Sequence, residues 1–134
     1  MNITKTDFVF LPITSWQKAE DFYSGVLGLE CSKRYDNDLG GEFETGSLTI
    51  QVVDMSKLGR EVPPSTGAIA LHVEDVEGAR AELESKGVEF HEETLDSGVC
   101  YQAYFADPDG NALILHHRYA RRESSPRPES QSPQ

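Results

Sequence analysis

The sequence predicts an α+β protein in which two βαβββ modules form a curved mixed sheet around a shared cleft. The main observation is an internal repeat with an offset of sixty residues, in which an apolar run, a helix N-cap and a glycine recur in the same order. Apolar residues at helical spacing follow each cap, and strand-like runs follow each glycine. The matching positions are Ile13 and Val73, Ser15 and Asp75, and Gly28 and Gly87.

The first module covers residues 1–56. Its elements are predicted as a strand over residues 8–13, a helix over 16–27 and strands over 29–35, 41–45 and 47–54. Pro12 suits the end of a strand or the edge of a sheet, because proline has no N–H to donate. Ser15 and Gly28 are favoured at the two ends of the amphipathic helix between them. One extra residue late in this helix reduces the offset from sixty to fifty-nine for the pair Gly28 and Gly87.

The second module covers residues 68–118 and follows a Gly-, Pro- and Ser-containing linker over residues 57–67. Its elements are predicted as a strand over 68–73, a helix from Asp75 to Gly87, and strands over 88–91, 99–106 and 111–117. The turn Asp107-Pro-Asp-Gly-Asn111 joins the last two strands, because these residue types suit a tight reversal. Residues 119–134 offer little to bury and are expected to form a disordered tail. The modules are expected to form one domain.

Composition limits the classes of function. A chain of 134 residues, 37% of them hydrophobic, can bury one core of ordinary size. The net charge of −11 repels phosphate backbones and anionic lipids, which argues against nucleic-acid and membrane partners. The sequence has no run long enough for a membrane span and no signal-peptide pattern, so a cytoplasmic protein is expected. Cys31 and Cys100 are expected to be reduced thiols.

Two motifs and the repeat together identify a family resemblance. The helix motif Phe22-Tyr23-Ser-Gly-Val-Leu-Gly28-Leu, the final turn Asp107-Pro-Asp-Gly-Asn111 and the two modules are similar to the vicinal oxygen chelate superfamily. This superfamily contains glyoxalases, extradiol dioxygenases, fosfomycin-resistance enzymes and bleomycin-binding resistance proteins. The resemblance covers residues 7–118. It implies the fold but not the function, because this fold hosts lyases, isomerases, dioxygenases and non-catalytic binders.

The resemblance also implies where a metal would be held. In metal-dependent members, His, Gln and Glu ligands come from the first and last strands of each module. Three of these positions correspond to Phe8, Ala68 and Ile114, whose side chains have no lone pair to offer. The fourth lies within residues 47–54, where Gln51 is the polar candidate. One amide does not replace the four or more donors that zinc and hard cations require, so no metal is expected at the usual site.

A displaced metal site is an alternative. Strand alternation predicts that His72 and His116 point into the cleft, where they and Gln51 or a glutamate offer ligands for zinc or iron. The other interpretation is that both histidines only form hydrogen bonds or orient a ligand. His91 and His117 are expected to be structural or exposed.

The cleft is predicted to be apolar, with a few polar points. Its lining is predicted to be Phe8, Phe10, Gln51, Ala68, Ala70, His72, Ile114 and His116. Such a surface suits a planar or amphipathic small molecule. The antibiotic-binding relatives are also acidic, bind cationic drugs and are commonly dimers with clefts between subunits. The resemblance therefore favours a metal-independent homodimer that binds or sequesters a small aromatic or cationic molecule.

Two further classes of function stay open. An enzyme of the lyase, isomerase or dioxygenase kind would use the displaced metal, or metal-free acid–base chemistry by His72 or His116. Its catalytic residues are not assigned, because the sequence lacks a nucleophile motif with an activating partner. A structural or regulatory module would instead fill the cleft with its own side chains.

Overall fold

The computed structural model describes residues 1–121, and the predicted disordered tail lies outside the described residues from position 122 onward. The chain forms eight strands and three longer helical segments in the described part. In order these are β1 (Phe8–Ile13), α1 (Trp16–Glu20), a π-helix (Asp21–Val26), β2 (Glu30–Arg34), β3 (Gly40–Glu44), β4 (Thr49–Asp54), β5 (Ile69–His72), α2 (Val76–Ser85), β6 (His91–Asp96), β7 (Cys100–Ala106) and β8 (Ala112–Arg118).

The strands form two four-stranded mixed sheets of the same topology. The first has the order β1-β4-β3-β2 and the second the order β5-β8-β7-β6. In each sheet the first and last strands of the module are parallel, and the other neighbours are antiparallel. The predicted α+β fold with two βαβββ modules is confirmed. Pro12 lies in edge strand β1, where its missing N–H costs no interior ladder bond.

Both predicted helix caps are confirmed. The Ser15 hydroxyl accepts a hydrogen bond from the Lys18 amide at 3.3 Å, and the Asp75 carboxylate accepts one from the Gly78 amide at 3.0 Å. The helix predicted over residues 16–27 is instead divided into α1 and a π-helix. A π turn holds one more residue than an α turn. It therefore accommodates the extra residue by which the first repeat exceeds the second.

The strand predicted at residues 88–91 is wrong, because β6 spans His91–Asp96. Val88 and Phe90 pack against the core instead. Glu92 has a φ of 64°, and the pairing of β6 with β7 shifts register between His91 and Leu95. Alternating apolar residues before position 91 thus reflect contact with the core rather than strand pairing. The strand β1 has the predicted bounds, and the bounds of the remaining strands differ from the predicted ones by at most two residues.

One core joins the two modules. Its largest fully buried side chains include residues of both modules: Leu11, Tyr23, Phe43 and Ile50 from the first, and Phe105 and Leu113 from the second. Each sheet therefore turns one face towards the shared core, and its opposite face lies outside this core. No helix within residues 1–121 has the length and apolar character needed to cross a membrane. Cys31 and Cys100 are free.

Candidate functional site

The face of the first sheet that points away from the core is aromatic and acidic. Phe43 and Ile50 are fully buried, so their strand neighbours project to the opposite side. Register places Phe8 beside Thr49 and Phe10 beside Gln51. We call this surface the first face; it consists of Phe8, Phe10, Glu42, Glu44, Thr49 and Gln51.

A chain of hydrogen bonds fixes one end of the first face. Gln51 Nε2 donates to the Tyr35 hydroxyl at 3.0 Å, and that hydroxyl donates to Glu42. Burial and the bond to Glu42 raise the pKa of Tyr35 above its ordinary value. The Tyr35 phenol therefore stays protonated and keeps donating. This bond orients the Gln51 amide through its nitrogen, so Oε1 is the one neutral donor atom that Gln51 could offer a metal.

Glu44 forms a second anchored carboxylate on the first face. The hydroxyls of Ser32 and Thr49 each donate to it at 2.6 Å. These two hydrogen bonds, that from Ser32 first, hold the pKa of Glu44 below its usual value. The carboxylate is consequently charged and oriented, which suits recognition of a cation.

The corresponding face of the second sheet is less charged. Leu113, Leu115 and Ala103 are buried, so the residues between them project outward. Tyr104 Oη donates to Gln102 Oε1 at 2.5 Å. We call this surface the second face; it consists of Ala70, Gln102, Tyr104, Ile114 and His116, which register places side by side.

Aromatic side chains on both faces are open to solvent. Phe8 is 50% exposed, Phe10 39% and Tyr104 38%. Exposed apolar side chains that lie together on one face often mark an interaction site. The described residues of one chain therefore leave both faces uncovered.

The predicted lining residues are distributed over these surfaces. Phe8, Phe10 and Gln51 lie on the first face, and Ala70, Ile114 and His116 on the second. Ala68 lies just before β5 and is exposed. Ala70 and His72 also line a cavity of about 520 Å³ between the modules, whose other walls include Leu27, Leu48 and Leu83.

His72 is the exception among the predicted residues. Register places it beside His116, but it is the last residue of β5, and its ring lies 5.5 Å from the His117 ring. Its Nε2 atom is 2.8 Å from Glu74 Oε2. That contact, followed by the charges of His72 and His117, lowers the pKa of Glu74. His72 is thus grouped with Glu74 and His117 in the structure.

Besides Thr49 of β4, four residues of the two faces were not predicted from the sequence: Glu42, Glu44, Gln102 and Tyr104. The signal for them was alternation within β3 and β7. Each carries polar residues on both sides of a buried aromatic or small residue, as in Glu42-Phe43-Glu44. Alternation assigns a face only once the buried residue is known, so the burial of Phe43 was the missing information.

Comparison with known proteins supports the fold. The family model of the Glyoxalase/Bleomycin resistance protein/Dioxygenase superfamily matches residues 5–115. None of the curated proteins matches the chain. A superfamily member from Sphaerobacter thermophilus DSM 20745 is 27% identical, with a TM-score of 0.68 over 85% of this chain and 97% of that one.

Two further solved structures share the fold at lower identity. TnmS3, an antibiotic binding protein from Streptomyces sp. CB03234, is 24% identical, with a TM-score of 0.71 over 88% of this chain and 98% of its own. Lactoylglutathione lyase from Agrobacterium tumefaciens is 19% identical, with a TM-score of 0.71 over 86% and 94%. Since the family model covers most of the chain and the two-module fold agrees, the chain belongs to the glyoxalase/bleomycin resistance protein/dioxygenase superfamily.

Proposed function

We propose that this chain binds a small aromatic or cationic molecule without a metal at the usual positions of the family. The ligand is held between the first face of one copy and the second face of another copy in a homodimer. The observation that carries the proposal is the first face itself. Exposed Phe8 and Phe10 on β1 share this face with the carboxylates of Glu44 and Glu42 on β3, and one strand, β4, lies between them.

The residues at the family's metal positions do not fit a metal ion. Phe8, Ala68 and Ile114 stand where metal-dependent members have donors, and their side chains are hydrocarbon. Gln51 donates to Tyr35 and offers at most one neutral oxygen. Zinc requires about four donors and calcium about six or more, so these positions support an apolar surface rather than a chelating centre.

The charge on the first face supports a cationic or amphipathic ligand. A cation above an aromatic ring gains about 0.5–2 kcal/mol, more when water is excluded. Anchored Glu44 adds a fixed negative charge, and the net charge of −11 raises the local concentration of cations. Phe8 and Phe10 supply flat apolar area against which an aromatic ligand can stack.

Burial supports the dimer. The two modules are joined through the core side of each sheet, while Phe10 on the first face and Tyr104 on the second are exposed. A two-fold axis that pairs the first face of one copy with the second face of its partner covers both aromatic surfaces. It also generates two equal clefts.

A thermal-shift screen against cationic aromatic antibiotics and neutral aromatic metabolites tests the proposal. A ligand present at a hundred times its dissociation constant adds about 2.7 kcal/mol of stability. Phe10→Ala and His116→Ala should weaken the best hit, and Glu42→Gln should weaken cationic hits more than neutral ones. Leu58→Ala is the matched control, because Leu58 is 55% exposed and lies on neither face. The proposal is contradicted if no compound of the panel raises the melting temperature, or if all four variants bind the best hit with equal affinity.

The alternative is a lyase, isomerase or dioxygenase. The observation that favours it is His116, which lies beside Gln102 on an uncovered face and can exchange protons with a bound substrate. In that case His116→Ala abolishes turnover while leaving substrate affinity nearly unchanged. Under the favoured proposal the same variant weakens binding, and the bound compound is recovered unaltered.

A further inference from the structure

We propose that His72, Glu74 and His117 form a second site, separate from the two faces, that binds a divalent transition-metal ion such as Zn²⁺. The ligand atoms of these three residues all lie within 4.8 Å of one another. The site goes beyond the proposed function, because it uses neither the aromatic residues of the first face nor His116.

Sheet topology brings the three residues together. β5 and β8 are parallel neighbours, so their carboxyl ends lie at the same edge of the second sheet. The Val73 amide donates to the His116 carbonyl at 3.0 Å, which continues the pairing beyond His72. Glu74 follows directly and lies within 2.8 Å of His72 Nε2. The backbone thereby fixes the spacing of the cluster.

The donor set matches a borderline-soft metal. Two imidazoles and one carboxylate are ligands that zinc takes at about 2.0–2.2 Å, with a water molecule completing a tetrahedron. A tetrahedron of that size places ligand atoms about 3.5 Å apart. The observed separations, 2.8 Å between His72 Nε2 and Glu74 Oε2 and at most 4.8 Å across the cluster, lie on either side of this value. An all-oxygen set, which would suit magnesium or calcium, is not offered here.

His117 supplies a second, independent observation. Its Nδ1 atom is buried and has no hydrogen-bond partner among residues 1–121. Buried polar atoms are nearly always paired, so an unpaired imidazole nitrogen calls for an explanation such as an ion or a water. Because Nδ1 makes no hydrogen bond to residues 1–121, coordination through this atom would break no protein hydrogen bond of Nδ1.

Access and charge suit an exchangeable ion. The side chains of His72 and Glu74 are 62% and 85% exposed, so an ion reaches them directly from solvent. The carboxylate of Glu74 offsets part of the charge of the ion, and the acidic chain attracts cations. The site therefore has an open position for water or an external ligand.

Calorimetric titration of ZnCl₂ into tag-free, chelator-treated protein tests the site. We expect one Zn²⁺ per chain. His72→Ala and His117→Gln should each lower the affinity by at least about tenfold, because even outer-shell changes cost about that much. His116→Ala and His91→Ala are matched controls that should leave affinity unchanged. Circular dichroism checks that His117→Gln folds, and exposed His72 gives a variant that does not depend on core packing.

A Co²⁺ titration gives an independent readout, since tetrahedral ligation produces strong visible absorption that His72→Ala should abolish. The proposal is overturned if Zn²⁺ does not bind stoichiometrically, or if it binds His72→Ala and His117→Gln as tightly as wild type. Loss of binding in His116→Ala alone would place the ion on the second face and also overturn it. Aromatic-ligand affinity measured with EDTA tests the proposed function separately, because that binding does not use this ion.

Discussion

The Tyr23 hydroxyl donates a 2.7 Å hydrogen bond to Asp107 Oδ2 across 84 residues of sequence. Tyr23 belongs to the π-helix of the first module and Asp107 to the turn between β7 and β8 of the second. The two sequence motifs that first indicated the family therefore meet in one buried contact. Asn111 also donates to Asp107 Oδ2, at 2.8 Å, so the contact is part of a small polar network within the core.

Replacing Tyr23 tests how much this hydrogen bond contributes to the free energy of unfolding. Tyr23→Phe keeps the ring, which stacks 5.1 Å from Phe43, and removes only the donor. We expect a loss of about 1.5–3 kcal/mol of unfolding free energy, the range for a hydrogen bond to a charged group. Urea denaturation at a fixed protein concentration measures it. Tyr104→Phe is the control and should change stability by less than about 0.5 kcal/mol, because Tyr104 is exposed. Equal effects of the two substitutions would contradict this account.

Alkaline pH should weaken the fold through the same residue. Burial, followed by the charge of Asp107, raises the pKa of Tyr23 far above its ordinary value of 10. A raised folded-state pKa stabilises the fold below pH 10, and this contribution is lost as the pH rises. Between pH 9 and pH 11, wild type should therefore lose about 1.4 kcal/mol more than Tyr23→Phe.

Urea denaturation at the two pH values checks the difference. Tyr119, whose pKa its bond to Asp96 raises to about 12, titrates in both proteins and cancels. Parallel loss of stability in wild type and Tyr23→Phe would show that Tyr23 ionises without cost.

Asn111 should also contribute to stability through the buried polar network that contains Tyr23 and Asp107. Its amide nitrogen donates to the Pro12 carbonyl at 2.8 Å, and its amide oxygen accepts from the Ser65 amide at 2.7 Å. Asn111→Ala leaves both backbone groups without a side-chain partner, so we expect a loss of about 3 kcal/mol. A thermal or urea melt measures the loss. Asn2→Ala, at an exposed position, should be neutral, and a neutral Asn111→Ala would disprove the role of the network.

Gly41 should tolerate no side chain. A Cβ atom there would lie 2.5 Å from the Lys33 carbonyl oxygen and 2.6 Å from Cη2 of the buried Trp16 ring. Gly41→Ala is expected to cost about 1–3 kcal/mol through overpacking. At Gly25 nothing lies within 4 Å of the added atom, so Gly25→Ala should be neutral or slightly stabilising. Comparison of the two melting temperatures checks the pair, and a similar loss in both would contradict it.

The proposed dimer can be disrupted through the first face. Phe10→Glu introduces a charge into the aromatic part of that face, on edge strand β1, and should shift the mass in solution from about twice 14.9 kDa to that of one chain. Light scattering coupled to size-exclusion chromatography measures this. Leu58→Glu makes the same change in charge at an exposed site off both faces and should remain dimeric. A monomeric wild type, or a dimeric Phe10→Glu, would contradict the proposed interface.

The fold could be predicted from sequence because the repeat, the caps at Ser15 and Asp75 and the final turn are local signals. The structure of segments that depend on partners distant in sequence could not be predicted from such local signals. Residues 88–90 resemble a strand but pack on the core, and the change in β6 at Glu92 follows from pairing with β7. A pattern of apolar residues does not distinguish a paired strand from an irregular segment that packs on the core.

The candidate site was predictable in part. Phe8 and Phe10 followed from the apolar first strand, whereas Glu42 and Glu44 required knowledge of which side of β3 is buried. The grouping of His72 with His117 was not predictable from alternation, since alternation puts His72 and His116 on one face. It arises because β5 ends at His72.

The most direct measurement is a calorimetric titration of the best cationic aromatic compound into protein stripped of metal with EDTA. We predict saturable binding with one molecule per chain, unchanged affinity when Zn²⁺ is restored, and weaker binding in Phe10→Ala. Binding that requires the restored metal, or that is indifferent to Phe10, would contradict the account.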